Sequence, residues 1–449
     1  MKHREFSAHE QVPSSERHHS FIDMVVLWAA ANASTSTWYM GGIIAGLGLI
    51  NAVAISLTAG IFSFVVFSLI SYMGYRVGTT SMGLARASFG IRGSIMPSIL
   101  NITMFIGWCA INTFISAVSL SFLAKKTFGI PAYGEAEGYK TMSIAIILIV
   151  IIQTSFISLG GGRTLKKIER GTTVLLIVLT LLVLYSIISM GEFSHVVEWK
   201  PMKFFISQGQ ALDIAAALVL SWVTASADFS RYSRSFLSST IAPAIGGITA
   251  LVWLIFIGAA SSIAVAVSSG VYSPASSDPS TVLSKLGFGW AGFLILITAT
   301  VSANMMNIYS AGMSISNISV KIKPEHGLVS VAAGSTVLAF VFLFAVSFID
   351  AFRIFLEYIG FILAPVLGIM VADFFAIKKR NYYWNDPESE KSLYWYTGGV
   401  NKIAFLCWIC GGFFYLVIHR IPVILNNTGS IIITVLFSFI LYVLAAKKM

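Results

Sequence analysis

Twelve apolar runs, each close to the roughly 20 residues a helix needs to cross a bilayer, divide this chain along its length. They cover residues 21–46, 52–75, 94–123, 141–159, 171–190, 209–227, 240–268, 289–318, 328–348, 352–376, 400–418 and 428–446. In hydrocarbon only helices and closed barrels satisfy every backbone N–H and C=O, and runs of this length predict helices. The expected fold is an all-α integral membrane protein with twelve transmembrane helices and no soluble domain. Charged residues make up 11% of the chain, against about 25% in a soluble domain.

With both ends of the chain on one side of the bilayer, 21 of the 29 Lys and Arg fall on that side. They include Arg76, Arg86, Arg92, Arg163, Lys166, Lys167, Arg170, Arg231, Arg234, Lys378 and Arg380. This is the positive-inside asymmetry, so both termini are expected in the cytoplasm and the protein in the cell membrane. The net charge of +10 then belongs to loops facing anionic headgroups, not to a nucleic-acid surface. The polar stretch before residue 21 lacks the apolar core and cleavage site of a signal peptide.

Little in the chain suggests an enzyme. Cys109 lies inside the third span, and Cys407 and Cys410 form a CxxC within the apolar run AFLCWICGGFFYLV. A zinc or redox role needs a partner pair or an accessible thiolate, so these are read as packing residues. No HExxH, GxSxG or Walker-type GxxxxGK[ST] motif occurs.

The first span is the least ordinary. Its centre reads WAAANASTSTWYMGG, which puts Asn32, Ser34, Thr35, Ser36 and Thr37 at mid-membrane. Such residues either bond back to their own helix and glue helices together, or mark a helix interrupted at a binding site. The sixth span carries Ser221, Thr224 and Ser226 around Trp222 at similar depth. A five-plus-five inverted repeat predicts breaks in these two spans, the first of each repeat. A two-times-six major-facilitator plan is disfavoured. The connection between spans six and seven is short, and that between two and three, YRVGTTSMGLARASFGIRGS, lacks the basic turn of that class.

Taken in order, WAAANASTSTWYMGG, ARASFGIRGSIMPSI, the IGW ending at Trp108, SWVTASADFSRYSR, SANMMNIYSAGMSISNI and APVLGIMVADFF resemble the nucleobase:cation symporter-1 family of cytosine, purine, allantoin and hydantoin permeases. The sixth-span pattern looks most like the purine-cytosine branch. The resemblance implies a LeuT-like inverted repeat with discontinuous helices 1 and 6. It divides the chain into a cytoplasmic tail (1–20), a ten-helix transport core (21–376), a cytoplasmic loop (377–399) and two accessory helices with a short tail (400–449). It implies uptake of a planar heterocycle by cation symport, with helices 1, 2, 6 and 7 rocking against 3, 4, 8 and 9. Pro365 and Gly368 make helix 10 either a flexing gate or a static kink. One chain holds a complete pathway, so a monomer suffices and no organic cofactor is expected.

The resemblance also nominates a site. Trp108 and Trp222 would stack on the two faces of the substrate, an interaction worth roughly 1–3 kcal/mol per base. Asn112, one turn beyond Trp108 and on the same face, would read its rim together with Ser221, Thr224, Asn304 and Asn307. Phe105 replaces a glutamine of the cytosine branch, which puts cytosine as sole substrate in doubt. Allantoin, a hydantoin or a thiamine-precursor pyrimidine stays open beside it, as does an uncoupled facilitator. A coupling sodium would use backbone carbonyls near Ala29 and Asn32 with the Ser302 hydroxyl. Ala303 stands where a second hydroxyl is common, which leaves the proton as rival. Asp213, Asp228 and Asp373 are expected as end-of-helix partners of Arg231, Arg234 or Lys378, not as proton carriers.

Overall fold

The computed structural model describes residues 10–191, 193–201, 204–274, 277–319, 324–345, 347–384 and 391–447, apart from the side chains of 156–170 and 324–326. Among these residues, 9 helices are long and apolar enough to cross a membrane, and Phe21–Asn32, Lys402–Ile418 and Ile431–Ala446 are shorter apolar helices. Together they account for the expected spans. The first span consists of α1 (Phe21–Asn32) and α2 (Thr35–Ile44). It is followed by α3 (Leu49–Val77), a short α4 (Ser81–Phe89) and α5 (Ile95–Phe128). The fourth and fifth expected spans form one helical trace, α6 (Gly138–Ser189), with apolar stretches 138–155 and 171–189 as separate crossings.

Beyond the short α7 (Phe193–Glu198) come α8 (Gln208–Ser230) and α9 (Phe236–Ser269). Then follow a short α10 (Pro279–Lys285), α11 (Trp290–Ile318) and α12 (Pro324–Phe344). The tenth span joins α13 (Phe348–Tyr358) to α14 (Ala364–Ala372) through a π-helical turn at Ile359–Leu363, with a second at Asp373–Ile377. Pro365 enters just after the first of these turns, where the backbone ladder is already offset and its missing N–H is tolerated. The chain closes with α15 (Lys402–Ile418), α16 (Pro422–Asn427) and α17 (Ile431–Ala446).

The helices pack as two groups. In one, α1, α2 and α3 surround α9 and α3 runs along α8; in the other, α5, α6, α11 and α12 pack on one another. The last pair, α15 and α17, lies against α14. Lipid supplies no hydrophobic drive between helices, so close backbone approach through small residues matters. Gly246 and Gly258 on α9 leave no room for a Cβ against the carbonyls of Val25 and Trp38. Trp38 Nε1 donates to Ser261 on the same helix α9 at 3.2 Å. The two halves of the broken span are thereby fixed to one continuous partner.

Two expectations need correction, and the segment before the first span adds a finding. The sixth span is not broken: α8 runs without interruption from Gln208 to Ser230. Its hydroxyls return to their own helix, Ser221 to the Leu218 carbonyl, Thr224 to that of Ser221 and Ser226 to that of Val223. Hydroxyls satisfied in this way need no opening of the backbone. The connection between spans two and three is no headgroup loop either. It folds as α4, and Arg86 is buried there, donating to the Asn317 Oδ1 and carbonyl at 2.8 and 2.9 Å; Arg231 is buried as well. Finally, the segment before the first span is docked. Val12 N–H donates to the Gly78 carbonyl, and His18 and His19 both donate to that of Tyr232. In the CxxC, Cys407 is buried but Cys410 is exposed.

Gly258→Ala is expected to lower the thermal unfolding midpoint of purified protein, because overpacking a close seam costs about 1–3 kcal/mol. Gly171→Ala, at an exposed helical position with nothing near the added methyl, is the matched control and should not lower it.

Candidate functional site

The break in the first span follows from its sequence. Asn32 turns its Nδ2 back to the Trp28 carbonyl at 2.9 Å, and Ala33 N–H closes the last turn of α1 on Ala29 O at 2.9 Å. Ser34 then starts α2 as its N-cap, accepting the Thr37 N–H at 3.2 Å, a position that serine favours. Ser34 N–H turns back to Asn32 O. Among the described residues no N–H reaches the carbonyls of Ala30 and Ala31. The opening is tied across to α11, where Thr35 and Thr300 hydroxyls meet at 2.8 Å. Thr300 also donates to Leu296 O, so Thr35 supplies the proton between them. Ser302, two residues along α11, is buried.

Next to this opening lies a buried aromatic layer. Trp222 on α8 meets Trp28 edge-to-face at 6.0 Å and Phe105 of α5 at 6.2 Å. Trp108, one turn beyond Phe105 on α5, is bordered by Phe352 and Phe355 of α13 at 6.1 and 5.3 Å. Trp222 therefore lies against Phe105, one turn before Trp108 on α5, and each tryptophan meets further rings edge-to-face. Gly107 lets α13 close in, since a Cβ there would overlap the Phe355 ring.

The amides converge beside Trp108. Asn112 Nδ2 donates to Asn304 Oδ1 at 3.0 Å, and Asn307 Nδ2 reaches the same oxygen at 3.4 Å. Asn304 Nδ2 in turn has three acceptors within reach of its two N–H groups, Gln153 Oε1 at 2.8 Å, the Cys109 carbonyl at 3.2 Å and Thr113 Oγ1 at 3.3 Å. Asn304 is thus saturated by protein. Buried polar atoms seldom go unpaired, yet several do here: Trp28 Nε1, Asn32 Oδ1, Trp108 Nε1, Asn112 Oδ1, Gln153 Nε2 and Asn307 Oδ1. Such a concentration around an aromatic layer suits a flat polar ligand.

The buried carboxylates do different work. Asp228 accepts the Ser81 N–H at the start of α4. Asp213 accepts the N–H groups of Ser430 and Ile431 at the start of α17, and Asp373 accepts the phenols of Tyr382 and Tyr442. These are end-of-helix roles, as expected, but the hydrogen-bond partners are backbone amides and phenols in place of the named Arg and Lys side chains. At the far end of α2, the Tyr272 hydroxyl donates to the carbonyls of Gly42 and Ile43 at 2.7 and 3.0 Å, and burial pushes that phenol above its ordinary pKa.

All the nominated residues are buried or line the opening. Trp108, Asn112, Asn304 and Asn307 form one cluster. Trp222, Ser221 and Thr224 lie on α8, and Ala29, Asn32 and Ser302 lie at or near the break. Gln153, Trp28 and Thr300 are additions. Gln153 is the one glutamine in the fourth apolar run, a signal that was present and not weighed.

The chain is similar to known permeases along most of its length. A family model described as permease for cytosine/purines, uracil, thiamine and allantoin matches residues 11–440. The purine-uracil permease NCS1 of Arabidopsis thaliana is 25% identical over 95% of this chain and 74% of its own length. The allantoin permease of Bacillus subtilis is 27% identical over 91% and 86%. The closed conformation of MHP1, a nucleobase-cation-symport-1 transporter with bromovinylhydantoin bound, superposes with a TM-score of 0.80 at 17% identity, covering 98% of this chain and 95% of that one. The fold is the LeuT-like inverted repeat, and the protein is a multi-pass membrane transporter, not an enzyme. The chain belongs to the nucleobase:cation symporter-1 family of permeases.

Proposed function

We propose that this permease imports a nucleobase or related planar heterocycle by cation symport with alternating access. The observation that carries the reading is the pair of unpartnered amide oxygens on Asn112 and Asn307 beside Trp108, with that of Asn32 at the break and the rings around Trp108 and Trp222. A nucleobase has two π faces for indoles and a rim of donors and acceptors for amides. Ser221 and Thr224 keep accepting lone pairs at the Trp222 end. Asn304 acts one step back from the substrate, through Asn112 and Asn307.

The coupling cation is assigned to the break. The carbonyls of Ala30 and Ala31, which no backbone N–H reaches among the described residues, with those of Ala29 and Asn32 adjacent and the Ser302 hydroxyl on α11, would supply its ligands. Neutral oxygen ligands suit a hard cation that must bind and leave in each cycle, which favours sodium over a proton. The carboxylates Asp213, Asp228 and Asp373 already hold helix ends and tyrosines. The group containing α1, α2, α3, α8 and α9 would rock against α5, α6, α11 and α12. Its basic end, with both termini, is assigned to the cytoplasm and the span array to the cell membrane. A single chain contains every element used. One cation moving down 100 mV supplies about 2.3 kcal/mol, enough for roughly 50-fold accumulation.

The test is uptake of radiolabelled hypoxanthine, uracil and cytosine by cells lacking their own base transporters, with and without sodium. Trp108→Ala is expected to raise KM about 5- to 150-fold, the loss of one stacking face, with the protein still present in the membrane. Uptake unaffected by that change would refute the stacking site. Ser302→Ala is expected to raise the half-saturating sodium concentration at least several-fold. Uptake indifferent to sodium and abolished by a protonophore would assign coupling to protons, and saturable uptake indifferent to both would make the protein a facilitator.

A further inference from the structure

Two arginines at the basic end of the molecule share a cavity and lack an anion. The segment before α1 and the last turn of α3 enclose an open cavity of about 660 Å3, lined by Arg17 and Arg76 together with Glu10 and Ser14. Arg17 is half-buried and lays its guanidinium over the Tyr75 ring at 5.1 Å. Its Nε is buried without a hydrogen-bond partner, and burial lowers its pKa from the ordinary value. Among the described residues no carboxylate pairs with either arginine. A cation drawn partly out of water is costly until an anion meets it.

The cavity lies where the lipid-facing surface ends. On α3 the side chains of Leu57, Ile61, Phe62 and Val65 are exposed. Arg76 is exposed as well, three turns beyond Val65 and so on the same face. Tyr72, one turn before Arg76, meets the exposed Phe236 of α9 at 5.7 Å, which carries the apolar face on to the neighbouring helix. Arg76 thus belongs both to the cavity and to the stripe that acyl chains cover.

We propose that this cavity binds the phosphate of an anionic phospholipid, gripped by Arg17 from the segment before α1 and by Arg76 from α3. A guanidinium presents a fork of donors that matches phosphate oxygens, and basic pockets at the edge of the hydrocarbon attract anionic headgroups. Inorganic phosphate shares this chemistry; continuity with the apolar stripe favours the lipid. The segment is already fastened by Val12 N–H to the Gly78 carbonyl, by Gln11 Nε2 to that of Val77 at 2.7 Å and by His18 and His19 N–H to that of Tyr232. A bound headgroup adds a charged tie between this segment and α3. Neither the transported substrate nor the coupling ion enters into it.

The experiment is native mass spectrometry of the purified full-length protein titrated with phosphatidylglycerol, with phosphatidylcholine of the same acyl chains, and with inorganic phosphate. One phosphatidylglycerol is expected to bind at least about 10-fold more tightly than phosphatidylcholine. Arg17→Gln and Arg76→Gln should each weaken that binding about 10-fold, and the exposed Arg76 serves where Arg17→Gln does not fold. Lys402→Gln, at an exposed basic position of the same end, should leave it unchanged. In hydrogen exchange, phosphatidylglycerol should slow the amides of Val12, His18 and His19 in the unaltered protein and not in Arg17→Gln. Equal binding of the two lipids, full binding in both arginine variants, or exchange that the lipid does not alter would overturn the site. An equal loss in Lys402→Gln would overturn it too, by showing diffuse charge alone. If inorganic phosphate binds as tightly as phosphatidylglycerol and protects the same amides, the acyl chains contribute nothing and the lipid assignment is overturned.

Discussion

An unpaired backbone carbonyl in hydrocarbon costs several kcal/mol, and this protein accepts that cost at the centre of its first span. Much of the surrounding packing can be understood as covering or exploiting the opening. The Ser34 side chain caps the helix that restarts, and Thr35 fastens it to Thr300 on α11. Glycines on α9 bring a continuous helix against both halves, so that the interrupted strand of structure behaves as one body. The carbonyls of Ala30 and Ala31 are left as fixed dipoles, which gives an otherwise apolar interior a place where positive charge can rest.

A second layer of organisation separates contact from control. The tryptophans present large surfaces, steadied edge-to-face by Trp28, Phe352 and Phe355 and by the tilted ring of Phe105, so their planes are fixed by the protein itself. The asparagines are steadied likewise by Asn304. Its own amide cannot turn over without placing an oxygen against the Cys109 carbonyl. Preorganised groups of this kind cost no reorganisation when a ligand arrives.

Much of this was legible in the sequence, for physical reasons that also mark its limits. Span length and hydropathy are set by the bilayer, so the twelve crossings could be read directly. The interruption at residues 33–34 was legible because Asn32 and Ser34 sit together where lipid tolerates neither exposed. The same residue types misled in the sixth span, since Ser221, Thr224 and Ser226 each find a carbonyl three residues back and leave α8 intact. Composition cannot tell a hydroxyl that opens a helix from one that decorates it; only the available partner can. Arg86 misled in another way. It reads as a loop charge, yet Asn317, over two hundred residues away, receives it in the interior. Gln153 was visible as a lone amide in an apolar run, but its meaning depends on Asn304, which sequence spacing does not bring near.

The hydrogen bonds of Asp213 bear on how the last two spans belong to the molecule. Its carboxylate, near the start of α8, accepts the first N–H groups of α17, and both are buried. In the rocking motion proposed above, a tilt of α8 would carry the start of α17 with it or leave a largely buried carboxylate and two amides without their partners. The division at residue 400 separates the accessory pair by order along the chain, while these hydrogen bonds tie that pair to α8.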